Sequence, residues 1–514
     1  MIARCFIDVN GRAVHYRRAG SGPPLVMMHG SPGDSEMLLE EITAAAQKFT
    51  VFALDTAGFG YSDALPGEVL TVPDLAGAAA ETMRALNLPP CPVYGSHTGA
   101  AIAMELGVGW PEQVTGVLLE GVPAFTEAEI EVLFAGYFAP MVPDPLAGHL
   151  TTTWMRFRDQ FTWFPWLSRD VKRLNAIPRP EPEDVDLWVS MFYRSCKTYR
   201  PAYRAACYYG QAALRAAEAL HVPAVYMATP QDMLFPHLTR LPPMKPGQRI
   251  EKLPSDMPGK LAAILRCGAE FSATAPAPPH RQMATHRGRY VDVPYGQIFV
   301  REYGTPSAPA LVLLHDAPGT GLALHEAAQK LSATHHVIVP DHPGCGRSDA
   351  PEGSDILAAA GAAILAVADA LGVQKFDVAA TGAGIAVAAH IDPARVTKFL
   401  LEPIQPRDPA QVAPTIELAP TGAHWLQAWQ MLRDAEIYRP WYDGSIAAQR
   451  ATQGNFDATW LQDQVAAFME GRATHHHLPR AAAAFPAADI LARSGATIIP
   501  VPLDAVADGK FNQQ

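Results

Sequence analysis

"CPVYGSHTGAAIAME", residues 91–105, decides the fold. A short apolar run ends at Tyr94, Gly95 and Gly99 bracket three residues, and an Ala-rich helical pattern follows at once. That order predicts a strand, a sharp turn and a helix, with His97 at the tip. Placing Ser96 at the tip would leave Tyr94 and Thr98 where a strained turn needs small residues, so sterics favour His97.

Comparing the chain with itself extends this reading. "PPLVMMHGSPGDS" (23–35) recurs as "PALVLLHDAPGTG" (309–321), and "VFALDTAGFGYSDA" (51–64) as "VIVPDHPGCGRSDA" (337–350). "VYGSHTGAAIA" recurs as "VAATGAGIAVA" (378–388), and "VTGVLLEGV" (114–122) as "VTKFLLEPI" (396–404). Four matches in one order mark an internal duplication. Each copy alternates short β-branched runs with Ala/Leu-rich helical stretches, which predicts an α/β fold with a mostly parallel sheet flanked by helices. The expected domains are 1–272 and 288–514, joined by an Ala/Pro-rich linker at 273–287. Within the first copy, residues 125–215 turn helical and rich in Trp, Phe and Tyr, the pattern of an inserted lid. The second copy has a counterpart with Trp425, Trp429, Tyr438, Trp441, Tyr442 and Trp460.

Composition limits the remaining options. The chain has 514 residues, 49% hydrophobic and 18% charged, with a formal net charge of -11 and no Lys/Arg runs. That argues against nucleic acid as a partner. No stretch reaches the ~18 apolar residues of a membrane span, no secretory signal is visible, and six scattered cysteines fit reduced core thiols, so a soluble cytoplasmic protein is expected. "THHHLPR" (474–480) reads as a surface run, because adjacent side chains do not converge on a metal. Neither a metal nor a dinucleotide site is supported, and no cofactor is expected.

The motifs "HGSPGD" (29–34), "DTAGFGYSD" (55–63) and "GSHTG" (95–99) together resemble the α/β-hydrolase family. The lidded branch with haloalkane dehalogenases, epoxide hydrolases and C–C bond hydrolases is the part resembled, and the resemblance covers nearly the whole chain as two tandem copies. It implies an oxyanion loop at His29, Gly30 and Ser31, a nucleophile position at His97 flanked by Ser96 and Thr98, and an acid at Asp232 in "VPAVYMATPQDMLFPH" (222–237). This chain departs from the pattern twice. The elbow holds His where the family holds Ser, Cys or Asp, and Ser255 and Asp256 stand where a terminal histidine is expected, leaving Asp256 as its replacement. Glu120, at the end of the following strand, is an alternative acid, although Glu402 repeats it in the second copy.

The second copy departs further, with Gly382 at the nucleophile position and Asp316 in place of Gly30, which would bring a negative charge near the hole. Its acid strand (495–509) is followed by five residues, so a final strand and helix do not fit. The second copy is therefore expected to be non-catalytic, covering a surface of the first or walling its substrate. A histidine elbow with Asp232 behind it, near a helix N-terminus that would hold the ring neutral, can activate water or act as a nucleophile. The first expectation is hydrolysis of a small, largely apolar or aromatic ester or related carbonyl substrate. The alternatives are a non-catalytic protein binding a ligand or partner, and a lyase or decarboxylase using His97 as acid and base. Two copies also make an intramolecular pseudo-dimer an expectation, with homo-oligomers left open.

Overall fold

The computed structural model describes residues 1–500 apart from 176, 354, 404–406, 451–452, 488–490 and 492–496. The chain divides into two units, Met1–Met141 with Thr152–Thr285 and Val142–Thr151 with His286–Gln514. The expected linker is not loose: Arg18 Nη2 donates to Pro278 O at 3.0 Å and Gln282 Nε2 to Arg4 O at 3.4 Å, which ties this segment to the first strands of the first unit.

In the first unit eight strands form one sheet: β1 (Ala3–Val9), β2 (Arg12–Ala19), β3 (Pro24–Met28), β4 (Thr50–Leu54), β5 (Cys91–Ser96), β6 (Val114–Glu120), β7 (Ala224–Ala228) and β8 (Gln248–Lys252). Their order is β1-β2-β4-β3-β5-β6-β7-β8, with β1 and β2 antiparallel at one edge and the rest parallel. Every residue of β3, β4 and β7 is buried, as expected of apolar runs covered on both faces. The cover comes from α1 (Leu39–Ala45), α2 (Val72–Ala85), α3 (Thr98–Gly109) and a C-terminal helix, Met257–Glu270. Seven consecutive residues of α3, Thr98–Met104, are buried, so its small side chains let it pack closely against β3, β5 and β6.

The lid falls between β6 and β7 as α4 (Glu127–Phe134), α5 (Gly148–Thr162), α6 (Pro182–Ser195), α7 (Tyr199–Cys207) and α8 (Gly210–Ala219), and the C-terminal helix is α9. Most of its rings are core: Trp154, Phe157, Phe192 and Tyr199 are buried. Three polar contacts tie the lid to the sheet loops. Arg194 of α6 reaches Asp34 at 2.8 Å and Glu36 at 2.6 Å, and Thr198 Oγ1 donates to Gly58 O at 2.9 Å.

The second unit repeats the plan with β9 (Arg289–Val293), β10 (Gly296–Tyr303), β11 (Ala310–Leu314), β12 (His336–Pro340), β13 (Phe376–Ala380), β14 (Val396–Leu401) and β15 (Thr497–Pro500), ordered β15-β14-β13-β11-β12-β10-β9. This is the first sheet's order up to β7. Its helices are α10 (His325–Leu331), α11 (Ile356–Ala370), α12 (Ala383–Ala388), α13 (Ala423–Ala435), α14 (Ala458–Met469) and α15 (His477–Ala484). Most of the expected acid strand, from residue 501 on, lies outside the described residues. The histidine run is not a uniform surface patch: His475 is buried, its ring nitrogens 2.8 Å from Arg472 O and 3.0 Å from Pro414 O, while His477 is exposed. All six cysteines are buried and none is in a disulfide among the described residues, where no helix is long and apolar enough to cross a membrane.

Candidate active site

The turn after β5 builds the site. His97 adopts φ 50° and ψ -106°, a region that L-residues enter only under constraint. A Cβ on Gly95 would overlap the Gly99 carbonyl, and one on Gly99 would overlap Met28 O, so the backbone leaves room for glycine alone on both sides of the tip. His97 N donates to Glu120 O at 2.7 Å and Gly99 N to His29 O at 3.0 Å, which pins the turn between β6 and the loop after β3. In the second unit Gly382 takes φ 52° and ψ -120°, the same elbow without a side chain.

His97 and Asp232 come together: Nε2 lies 2.8 Å from Asp232 Oδ2, while Asp232 Oδ1 accepts from Leu234 N at 2.8 Å. The imidazole packs closely, since a Cβ on Gly121 would lie 2.5 Å from its Cδ2, yet the side chain keeps 40% of its exposure. Burial opposes its protonation, but the Asp232 carboxylate, helped by Glu120, raises the His97 pKa above the ordinary 6.5 overall. The carboxylate thus acts against the neutral ring that the helix N-terminus is expected to favour. Burial likewise opposes the charge of Asp232, and His97 with the Leu234 amide lowers its pKa overall.

The other expected residues divide by role. His29 is fully buried, with Nδ1 2.8 Å from Gly30 O and Nε2 accepting from Thr56 N at 3.0 Å, so it locks the loop after β3 to the loop after β4. Gly30 lies beside the tip, where an added Cβ would be 3.4 Å from His97 Cβ. Ser31 Oγ is buried with no hydrogen-bond partner among the described residues. Thr98 opens α3 directly behind His97, and Ser96 is the buried last residue of β5. Glu120 has both oxygens engaged, one by the Tyr94 hydroxyl and the other by Lys260 Nζ at 2.9 Å. Asp256 caps α9, accepting from Gly259 N at 2.8 Å, and is exposed. His237 accepts from Ala124 N at 3.0 Å, and burial with nearby Arg240 pushes its pKa down to about 4.

Sequence reasoning missed Lys260 and Arg194. Lys260, half-buried, bridges Glu120 and Glu41, which lie 140 and 219 positions away, so nothing in its local sequence marks it. Arg194 carries no clue at all, lying 160 residues from its partner Asp34.

The second unit's elbow is filled from within. Asp316 Oδ1 accepts from Ala383 N at 2.9 Å and from Ala317 N at 2.7 Å, the counterparts of Thr98 N and Ser31 N. Arg407 neutralises the same carboxylate through two contacts of 2.6 Å, and a Cβ on Gly382 would overlap it. Glu402 is bound by Thr381 Oγ1 at 2.6 Å and by Arg439, so the glutamate at the end of this strand meets a cation in both copies. A cavity of about 600 Å³ remains beside Asp316 and Arg407, walled by Trp441 and Trp460.

A family model described as "alpha/beta hydrolase fold" matches residues 23–245 and again 309–437, together more than half of the chain. Among curated proteins, the (E)-2-((N-methylformamido)methylene)succinate hydrolase of Acinetobacter baylyi is 31% identical over 26% of this chain and 51% of its own length. Haloalkane dehalogenase 2 of Mycobacterium tuberculosis is 32% identical over 23% of this chain and 41% of its own. The chain thus spans about half or less of the curated relatives it matches. Epoxide hydrolase A of Mycobacterium thermoresistibile superposes with a TM-score of 0.42 and 18% identity, over 53% of this chain and 99% of that one.

Proposed function

The chain belongs to the α/β hydrolase fold family, and from that premise we propose that its first unit hydrolyses a small, largely apolar ester or related carbonyl compound with His97 as general base. The observation that carries this reading is the 2.8 Å contact between His97 Nε2 and Asp232 Oδ2. With the Nε2 proton donated to the carboxylate, Nδ1 holds the lone pair, and nothing among the described residues occupies it. A water on Nδ1 gives up its proton as its oxygen attacks the carbonyl carbon. The resulting oxyanion is held by the backbone N–H groups of Thr98 and Ser31, a type of donor worth about 10²- to 10³-fold in rate each. Collapse breaks the bond to the leaving alkoxide, which takes the proton back from His97 and departs as the alcohol.

The filled elbow of the second unit supports this assignment. There one carboxylate oxygen bonds both counterpart amides, so an anionic oxygen fits between donors of this geometry. Gly30 leaves the equivalent space of the first unit without a carboxylate. The experiment is hydrolysis of short-chain and aromatic p-nitrophenyl esters by wild type, His97→Ala and His97→Ser, with product isolated from H₂¹⁸O. Turnover with one solvent oxygen in the acid, lost by about 10²-fold or more in His97→Ala, is expected. Turnover unchanged in His97→Ala would end this reading, and turnover by no variant would favour a ligand-binding role.

A further inference from the structure

The lid of the first unit contains a cation without an anion. Arg156, on α5, makes no hydrogen bond or ion pair among the described residues, and its Nε and Nη2 are buried without a partner. Its guanidinium instead lies among rings, 4.7 Å from the centroid of Phe192, 5.1 Å from Phe157, 5.4 Å from Trp166 and 5.9 Å from Tyr199. Two of those rings bring unpartnered buried donors of their own, Trp166 Nε1 and the Tyr199 hydroxyl. The nearby Tyr137 and Tyr203 hydroxyls are satisfied by each other at 3.0 Å.

Three kinds of donor without acceptors in one aromatic cluster are costly for a structural role alone. Buried polar groups are ordinarily hydrogen-bonded, and a guanidinium offers a planar fork that matches a carboxylate. Cation–π contact offsets part of the desolvation and fixes the fork's plane without using its hydrogen bonds. The cluster is also joined to the reacting centre. Gly121 abuts His97, Phe125 follows on the same segment, Phe125 stacks on Phe164, Phe164 meets Tyr137, and Tyr137 meets Trp166 beside Arg156. On the other side Phe192 follows Met191, whose sulfur would lie 3.5 Å from a Cβ placed on Gly33 of the oxyanion loop.

We propose that Arg156, Trp166 Nε1 and the Tyr199 hydroxyl form a carboxylate-receiving site in the lid, so that the substrate of the first unit is an anionic compound with an apolar body between its carboxylate and its reactive carbonyl. The inference rests on the hydrolytic reading for calling the bound molecule a substrate, and on the lid alone for the binding itself.

Calorimetric titration of the full chain with 4-phenylbutyrate and with the neutral 4-phenylbutyramide tests it. The acid should bind about tenfold or more tighter than the amide, as a charge-assisted hydrogen bond implies. That preference should vanish in Arg156→Gln, fall in Trp166→Phe, and persist in His97→Ala. Equal binding of acid and amide by wild type, or an acid preference retained in Arg156→Gln, would overturn the proposal. The wild-type comparison stands even if a variant fails to fold. Acid-selective binding without ester turnover would remove the hydrolytic reading and leave the carboxylate site, whereas turnover of neutral esters without acid selectivity would do the reverse.

Discussion

At the scale of single residues, His97 combines a strained backbone with a carboxylate that raises its pKa. A general base must be neutral, and Asp232 raises the pKa of His97 above 6.5. Activity is therefore expected to rise with pH along an acid limb centred above 6.5 and then level off. In Asp232→Asn the attraction that raises the value is gone and burial, which lowers it, remains. The limb should move to lower pH while the plateau falls by ~10²-fold or more, because the ring also loses its orientation. A kcat/KM profile of both proteins checks this; a limb that stays in place would mean that a group other than His97 titrates. Stability carries the opposite sign for the imidazole. The contribution of the pair is complete below the unfolded imidazole value and is lost as pH rises through the raised one. On the carboxylate side it is lost as pH falls through the lowered Asp232 value.

At the scale of elements, the lid is held to the oxyanion loop by charge. Arg194 of α6 is 6% exposed and reaches Asp34 and Glu36, while Arg17 of β2 reaches Glu36 at 3.1 Å. Removing Arg194 leaves Asp34 without its cation, and Glu36 with Arg17 alone, near the loop that must stay in place for catalysis. Arg194→Met should cost about 3–5 kcal/mol of stability in urea unfolding near neutral pH, and the gap from wild type should narrow toward pH 5 as the stranded Asp34 carboxylate takes up a proton. A gap that does not change with pH would place the loss in packing rather than in charge. This scale also shows how far the sequence can be read. The strand–turn–helix of 91–105 and the lid interval follow from local periodicity and from the small residues that a sharp turn needs, the repeats from comparing the chain with itself, and Asp232 from the place that the family resemblance gives the acid. The Arg194–Asp34 and Arg407–Asp316 pairs join residues 160 and 91 positions apart, where no periodicity connects them. Arg156 is illegible for a related reason: as one of nine Arg in residues 125–215, it stands out only when its missing anion is visible.

At the scale of the whole molecule, two copies of one plan show the same elbow in two conditions, one with an imidazole at its tip and one with a carboxylate from the neighbouring loop laid into the hole. Asp316 and Gly382 depend on each other, because a side chain at 382 and the carboxylate cannot share the space. Arg407 makes that carboxylate tolerable, holding its pKa at about 2 against the effect of burial. A copy relieved of catalysis would not need to retain the donors of an oxyanion hole in place, but a carboxylate and an arginine that satisfy them make the arrangement a structural one. The dependence can be measured as a coupling. Gly382→Ala should cost ~2–4 kcal/mol in the wild type, from overlap with Asp316 added to backbone strain at positive φ. In an Asp316→Gly, Arg407→Met background, which restores the glycine found at residue 30, only the strain should remain, about 1 kcal/mol. Urea unfolding followed by tryptophan fluorescence closes the cycle. A coupling of 1 kcal/mol or more is expected, with ester hydrolysis per folded molecule unchanged throughout because its reacting groups lie in the first unit. Strict additivity would mean that the glycine at 382 and the carboxylate at 316 arose independently of each other's space.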